Sequence, residues 1–137
     1  MKNILILSLI LLCSCNQIAK KKNNNYDNNL WVFYHVKDSI PKLLNNNISN
    51  ANGLKIANPN EQFNATDNLI DTLPDKQLVF IANNKDKWRL VYVQGGFGKY
   101  FVLYECVIKN DSIFNLKKAE SVQAIRDMSV FDKVISK

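Results

Sequence analysis

The chain of 137 residues has little of what metal and catalytic sites are built from, since it contains one histidine and three cysteines. Metal sites need clustered His, Cys, Asp or Glu ligands, and the pair Asp67 and Asp71 offers only two carboxylates. After the first fourteen residues there is no apolar run of about 18 residues, the length that a membrane-spanning helix needs. The sequence therefore predicts no metal, no cofactor and no transmembrane helix in the mature chain.

Acidic residues are fewer than basic ones, 12 against 18, but much of the excess lies near the amino terminus. From Leu30 onward the sequence has 14 basic and 11 acidic residues, a net charge of +3. A nucleic-acid-binding surface shows clustered cations with aromatic residues among them, and this sequence lacks such a cluster. We therefore expect no nucleic-acid partner.

The first fourteen residues have the organisation of a secretory signal peptide. Lys2 is followed by an apolar run over residues 4–12 that only Ser8 interrupts, and small or thiol residues come next. Nine residues form about 14 Å of helix, which is too short for a hydrocarbon core of about 30 Å. The pattern predicts export and removal of residues 1–14.

The cleavage region, Leu12-Cys13-Ser14-Cys15, resembles the lipobox of bacterial lipoproteins. The resemblance implies that a diacylglyceryl group is attached to the sulfur of Cys15, that cleavage occurs before Cys15 and that its new amino group is acylated. Two or three acyl chains make such an anchor nearly permanent. It also implies that Cys13 leaves with the signal peptide, so that only Cys106 remains as a thiol and no disulfide forms within the chain. The alternative is an ordinary secreted protein that is cut near Ser14.

Residues 16–29, which follow Cys15, are polar and rich in asparagine, and they lack any periodicity. Such a composition is typical of a flexible tether, with a root-mean-square reach of about 20 Å for fourteen residues. The sequence thus predicts an anchored tether over residues 15–29 and one small β-rich domain over residues 30–137. In a Gram-negative cell the anchor would lie in the outer membrane or at the periplasmic face; the residues after Cys15 do not assign the leaflet.

Five runs rich in β-branched and aromatic residues predict strands. They are residues 30–36, 77–82, 88–94, 100–108 and 112–117. Short polar or glycine-rich connections join the last four, which indicates an antiparallel β-meander. Alternation places Leu78, Phe80 and Ala82 on one face of the sheet. The predicted fold class is α+β, β-rich, with about five strands and one or two short helices.

The remaining segments give weaker signals. Residues 38–44 and 66–73 are compatible with short helices, and residues 45–64 show no period, which favours a mobile surface segment. Val122, Ile125 and Met128 have helical spacing within residues 121–137. Ser129 with Asp132 resembles a capping box at the start of a helix there.

The candidate binding loop is the sequence Gly95-Gly96-Phe97-Gly98-Lys99. Glycine permits positive φ and close backbone approach, and Lys99 is placed to hold an anion. The loop lacks the order of a phosphate-binding motif, because Lys99 opens a strand, so a plain hairpin is the simpler interpretation. Phe97 at its tip is an aromatic residue of the type that interfaces favour.

Catalysis finds little support in the sequence. His35 lies in a predicted apolar strand and Cys106 in another, where they are expected to be structural, and no local signature pairs them as nucleophile and base. Glu105 interrupts an apolar face and is expected to lie at an edge or to be paired.

These observations favour a lipid-anchored protein of the bacterial cell envelope whose small domain is not an enzyme and binds another envelope protein. One alternative is an immunity or inhibitor lipoprotein that acts against an exported toxin or lytic enzyme. A second is an enzyme or small-ligand carrier with His35, Cys106 or Glu105 in a closed cavity, and a third is a structural envelope component.

Overall fold

A computed structural model describes residues 30–49, 53–67 and 72–137 of the chain. These residues form six strands and two helices: β1 (Val32–Tyr34), α1 (Lys42–Ile48), β2 (Ile56–Ala57), β3 (Lys76–Asn84), β4 (Lys87–Gln94), β5 (Tyr100–Lys109), β6 (Ser112–Ser121) and α2 (Met128–Ile135). The predicted signal peptide, Cys15, the predicted tether and the centre of the helix predicted at 66–73 lie outside the described residues.

The strands form one sheet in the order β1-β3-β4-β5-β6, with β2 also paired to β3. All pairs are antiparallel except β2 with β3, which is parallel. The consecutive strands β3 to β6 form the predicted meander, and the prediction of a β-rich α+β fold is confirmed. The first strand is shorter than residues 30–36, whereas β6 continues four residues beyond the predicted end.

The strands carry apolar side chains on both faces of the sheet, and other segments of the chain cover each face. On the first face, Leu44 of α1 and Ile56 of β2 pack on Leu78, Leu90 and other strand residues. On the second face, Ile125 and Phe131 of the carboxyl-terminal segment pack on the sheet. The second-face strand residues that are fully buried or nearly so are Phe80, Ala82, Val91 and Leu103.

A bulge in β3 changes the expected alternation. Leu78 pairs with Tyr92 and Phe80 with Val91, so β3 has one residue more than β4 at Val79. Phe80 and Ala82 therefore face the second side, whereas Leu78 and Ile81 face the first. The prediction that Leu78, Phe80 and Ala82 share a face is wrong, because an inserted residue reverses a strand's two-residue period.

The described residues of the segment 45–64, which are 45–49 and 53–64, are more ordered than the lack of a period predicts. They include the end of α1, the strand β2, whose Ile56 and Ala57 are both buried, and the buried side chain of Asn64. Asn58 accepts a hydrogen bond from the Lys37 backbone N–H at 2.7 Å and donates to Glu61 at 2.8 Å. Packing on the sheet, rather than local periodicity, gives this part of the segment its structure.

The carboxyl-terminal helix begins later than its apolar spacing predicts. Asp127 caps α2, since its Oδ1 accepts from the backbone N–H of Val130 at 3.0 Å. The predicted capping box of Ser129 with Asp132 is wrong: Ser129 donates to Asp127, and Asp132 pairs with Arg89. Hydrogen bonds from the backbone N–H of Val130 and from the Ser129 hydroxyl lower the pKa of the Asp127 carboxyl.

The last strand of the sheet, β6, is an open and largely exposed edge. Between the pairs Glu105 with Lys117 and Val107 with Phe114, β6 carries one residue more than β5. Asn115 lies in this bulge with a φ of 53°, in the left-handed region that asparagine tolerates. Asn110 and Asp111, in the turn before β6, have positive φ as well, which suits a tight hairpin turn.

One close approach joins the β4–β5 hairpin to the rest of the domain. A Cβ atom on Gly95 would lie 2.1 Å from the backbone oxygen of Asn64. The Gly95 N–H also donates to the backbone oxygen of Asp75 at 2.8 Å. The base of the hairpin is thus held against two other segments, and only glycine fits there.

We expect Gly95→Ala to lower the free energy of unfolding by about 3 kcal/mol, because a backbone carbonyl cannot move aside for the new methyl group. Gly98→Ala is the matched control, since nothing lies within 4 Å of a Cβ at Gly98. Urea denaturation of both variants measures the difference. Equal stabilities would contradict this account of the hairpin base.

Candidate functional site

The hairpin between β4 and β5 ends in a fully exposed aromatic side chain. Phe97 is completely accessible, and Lys99 beside it is exposed. The base of the loop is fixed, because Gln94 Nε2 donates to Asp75 Oδ2 at 2.9 Å in addition to the Gly95 contacts. The structure therefore brings the two predicted binding residues together at a protruding tip. We call residues 94–100 together with Val122 the hairpin tip.

Val122 belongs to this tip because β6 ends beside it, with Ser121 paired to Phe101. Val122 is 89% exposed. Together with the loop it lines an open recess of about 390 Å³. Sequence reasoning missed Val122, since its helical spacing with Ile125 and Met128 predicted a place in the buried face of a helix. Nothing in the sequence identifies it, because the strand predicted over residues 112–117 ends well before Val122, whereas β6 continues to Ser121.

Two acidic side chains near the tip, those of Asp75 and Glu120, are in ion pairs. Asp75 binds Lys76 at 2.8 Å, and Glu120 binds Lys118 at 2.6 Å. Desolvation raises the pKa of Asp75, but hydrogen bonds from Lys76 and Gln94 outweigh it, so that this pKa lies below its usual value. The Nζ atom of Lys99 lies 5.8 Å from the ring centre of Phe63. Among the described residues, Lys99 has no ion-pair partner.

A second polar cluster lies under α2 on the second face. Arg89 is only 6% exposed, and its guanidinium donates to Glu105 at 2.8 Å and to Asp132 at 2.7 Å. The rings of Trp31 and Phe131 lie 4.2 and 4.5 Å from its central carbon. We call these five residues the arginine cluster. The expectation that Glu105 is paired is confirmed.

The arginine cluster is arranged for stability rather than for chemistry. The register places Arg89 directly opposite Glu105 on β5, and α2 brings Phe131 and Asp132 above it. A third donor, Nη1, contacts the sulfur of Met128 at 3.2 Å. Because the cation already has two carboxylates and two aromatic rings around it, it is not free to bind a substrate.

His35 and Cys106 are not brought together. His35 is exposed after the end of β1, and its Nδ1 donates to the backbone oxygen of Val79 at 3.1 Å, which requires the proton on Nδ1. Cys106 is buried on β5, and β3 and β4 lie between β1 and β5. Three strand spacings separate the two strands by about 14 Å. Burial, with a smaller effect of the Glu105 charge, raises the pKa of the Cys106 thiol to about 11.

The described residues contain neither a candidate metal-binding group nor a candidate membrane-spanning helix. In residues 30–49, 53–67 and 72–137, no three His, Cys, Asp or Glu side chains are grouped so as to hold a metal ion. Over the same residues, no helix has the length and apolar character that crossing a bilayer demands. Asp71, which the sequence pairs with Asp67, lies outside the described residues.

Comparisons with models of protein families, with curated proteins and with solved structures find no match to this chain.

We expect Arg89→Ala to lower the free energy of unfolding by about 3 kcal/mol, since it leaves the largely buried Glu105 carboxylate with only the more distant Lys87, at 3.9 Å, and removes the side chain packed between Trp31 and Phe131. Lys118→Ala is the control, because it removes an exposed ion pair and should cost less than about 1 kcal/mol. Denaturant unfolding measures both. Equal losses would show that the arginine cluster contributes no more than a surface pair.

Proposed function

We propose that this chain is a lipid-anchored protein of the bacterial cell envelope whose small domain binds another envelope protein through the hairpin tip. The lipobox resemblance of Leu12-Cys13-Ser14-Cys15 supports the anchor. The exposed aromatic residue on a fixed hairpin base supports the binding role. In this proposal the domain is not an enzyme.

The observation that carries the binding role is the complete exposure of Phe97 beside Val122. Burial of a phenylalanine or valine side chain contributes about 1.5–3 kcal/mol, so two such groups in water are available to stabilise a complex. Aromatic anchors at the centre of a contact contribute much of the binding energy in protein interfaces. The fixed base means that little ordering is needed when the tip binds, which favours affinity.

The polar groups of the domain support a binding role over catalysis. The buried cation of Arg89 is already paired with Glu105 and Asp132. His35 follows β1 and Cys106 lies on β5, and two strands of the sheet separate β1 from β5. A nucleophile needs a base within hydrogen-bond reach. The described residues therefore present a surface that suits binding of another molecule, rather than a nucleophile and a base placed to cleave a bond.

A second candidate function is inhibition of an exported lytic enzyme or toxin. The protruding tip favours it, because a narrow hairpin carrying one aromatic residue is suited to enter an enzyme cleft. In this case the partner is an enzyme, and binding of the tip blocks its activity.

The anchor is tested by replacing Cys15. We expect Cys15→Ala to lose incorporation of labelled palmitate and to retain the signal peptide, because the sulfur that accepts the lipid is gone. Cys13→Ala is the matched control: Cys13 leaves with the signal peptide, so this variant should be labelled and processed normally. Gel mobility and membrane fractionation measure both. A Cys15→Ala protein that still carries palmitate would contradict the anchor.

The binding role is tested with a photoreactive benzoylphenylalanine at Val122 in the full chain in cells. We expect a crosslinked protein adduct whose yield falls about tenfold in Phe97→Ala, as loss of about 1.4 kcal/mol predicts. Phe114→Ala is the control, since Phe114 is an exposed apolar residue on β6 outside the tip. Equal yields in the two variants, or no protein adduct, would contradict binding through the tip.

A further inference from the structure

The chain enters the sheet at the end opposite the hairpin tip. Val32 pairs with Asn83, next to the turn between β3 and β4, whereas Gln94 pairs with Tyr100 beside the tip. β5 runs the whole length between the two ends with ten residues, which is about 33 Å. Leu30 and Phe97 are therefore separated by about the length of the sheet.

The tip presents apolar surface and one positive charge that has no carboxylate partner among the described residues. Asp75 and Glu120, the acidic side chains in ion pairs beside the tip, are bound to Lys76 and Lys118. The Nζ atom of Lys99 faces the ring of Phe63, at 5.8 Å from its centre. A surface that complements this one needs an apolar recess for Phe97 and Val122 and negative charge next to it.

We propose that the hairpin tip is the membrane-distal end of the anchored domain, and that it binds a protein with an apolar recess rimmed by carboxylates. This inference rests on the proposed function and specifies the partner. Phe97 fills the recess, and Lys99 pairs with a carboxylate of the rim. The partner then approaches from the side away from the bilayer that holds Cys15.

The anchoring bilayer is a poorer fit for the tip than a protein is. The proposed tether joins the domain at Leu30, and its root-mean-square reach of about 20 Å is shorter than the sheet of about 33 Å, so placing the tip in the anchoring bilayer requires a stretched tether. Insertion of the tip would require the domain to turn over. One lysine near an anionic lipid surface contributes only about 1 kcal/mol.

The test uses the benzoylphenylalanine probe at Val122, which leaves Phe97 and Lys99 native. We expect Lys99→Glu to lower the yield of the protein adduct about tenfold, because charge reversal replaces attraction by repulsion, whereas Lys99→Arg retains it. Lys109→Glu is the control, since Lys109 is an exposed lysine at the other end of the sheet. Its adduct yield should stay within about twofold of wild type. Mass spectrometry of the adduct should show that an Asp or Glu residue of the partner lies next to the crosslinked position.

Any of four outcomes would overturn the inference. Equal yields for Lys99→Glu and Lys109→Glu would exclude a carboxylate rim while leaving binding through Phe97 intact. Adducts with phospholipid would show that the tip lies in a membrane, and adducts of twice the chain's mass would show that it binds a second copy. Equal adduct yields from a probe at Asp111, in the turn at the opposite end, would show that the tip is not the binding end. Loss of every adduct, by contrast, contradicts the proposed function itself.

Discussion

The buried guanidinium of Arg89 is the interaction on which the arrangement of this domain depends. It joins Trp31, near the start of the described residues, to the sheet through Glu105 and to the helix α2 through Asp132. Taking the charges of Arg89 and Glu105 out of water costs several kcal/mol for each ion, which their close pairing offsets. The eight-residue α2 is too short to be stable alone, so the ion pair and the packing of Phe131 hold it on the sheet.

The two covered faces leave the hairpin tip as an exposed apolar site, with Phe97 fully accessible and Val122 89% exposed. The first face is closed by α1 and β2 and the second by α2, so the long strands are shielded along much of their length. The hairpin extends beyond both covers. Gly95 allows its base to lie against the backbone of Asn64, so Phe97 is exposed on a rigid support rather than on a loose loop.

The strands of the meander could be predicted because each run is rich in β-branched and aromatic residues and is bounded by polar turns. The bulge at Val79 could not, because an extra residue is defined only by pairing with β4. The ordered structure of residues 53–58 depends on contact with the sheet, which the asparagine-rich composition of this segment does not indicate. Phe97 and Lys99 could be placed at a tip from the glycines around them. The arginine cluster was hidden, since the partners of Arg89 lie 16 and 43 residues away.

The bulged edge strand β6 also bears on how copies of this domain behave beside one another. A long flat edge offers unpaired N–H and C=O groups on which another chain can add a strand. The left-handed Asn115 interrupts that row of groups, and the exposed Lys117 and Lys118 place positive charge along the rest of it. At the opposite edge, β1 has only three residues. Both edges are thus poor templates for aggregation, even at high local concentration.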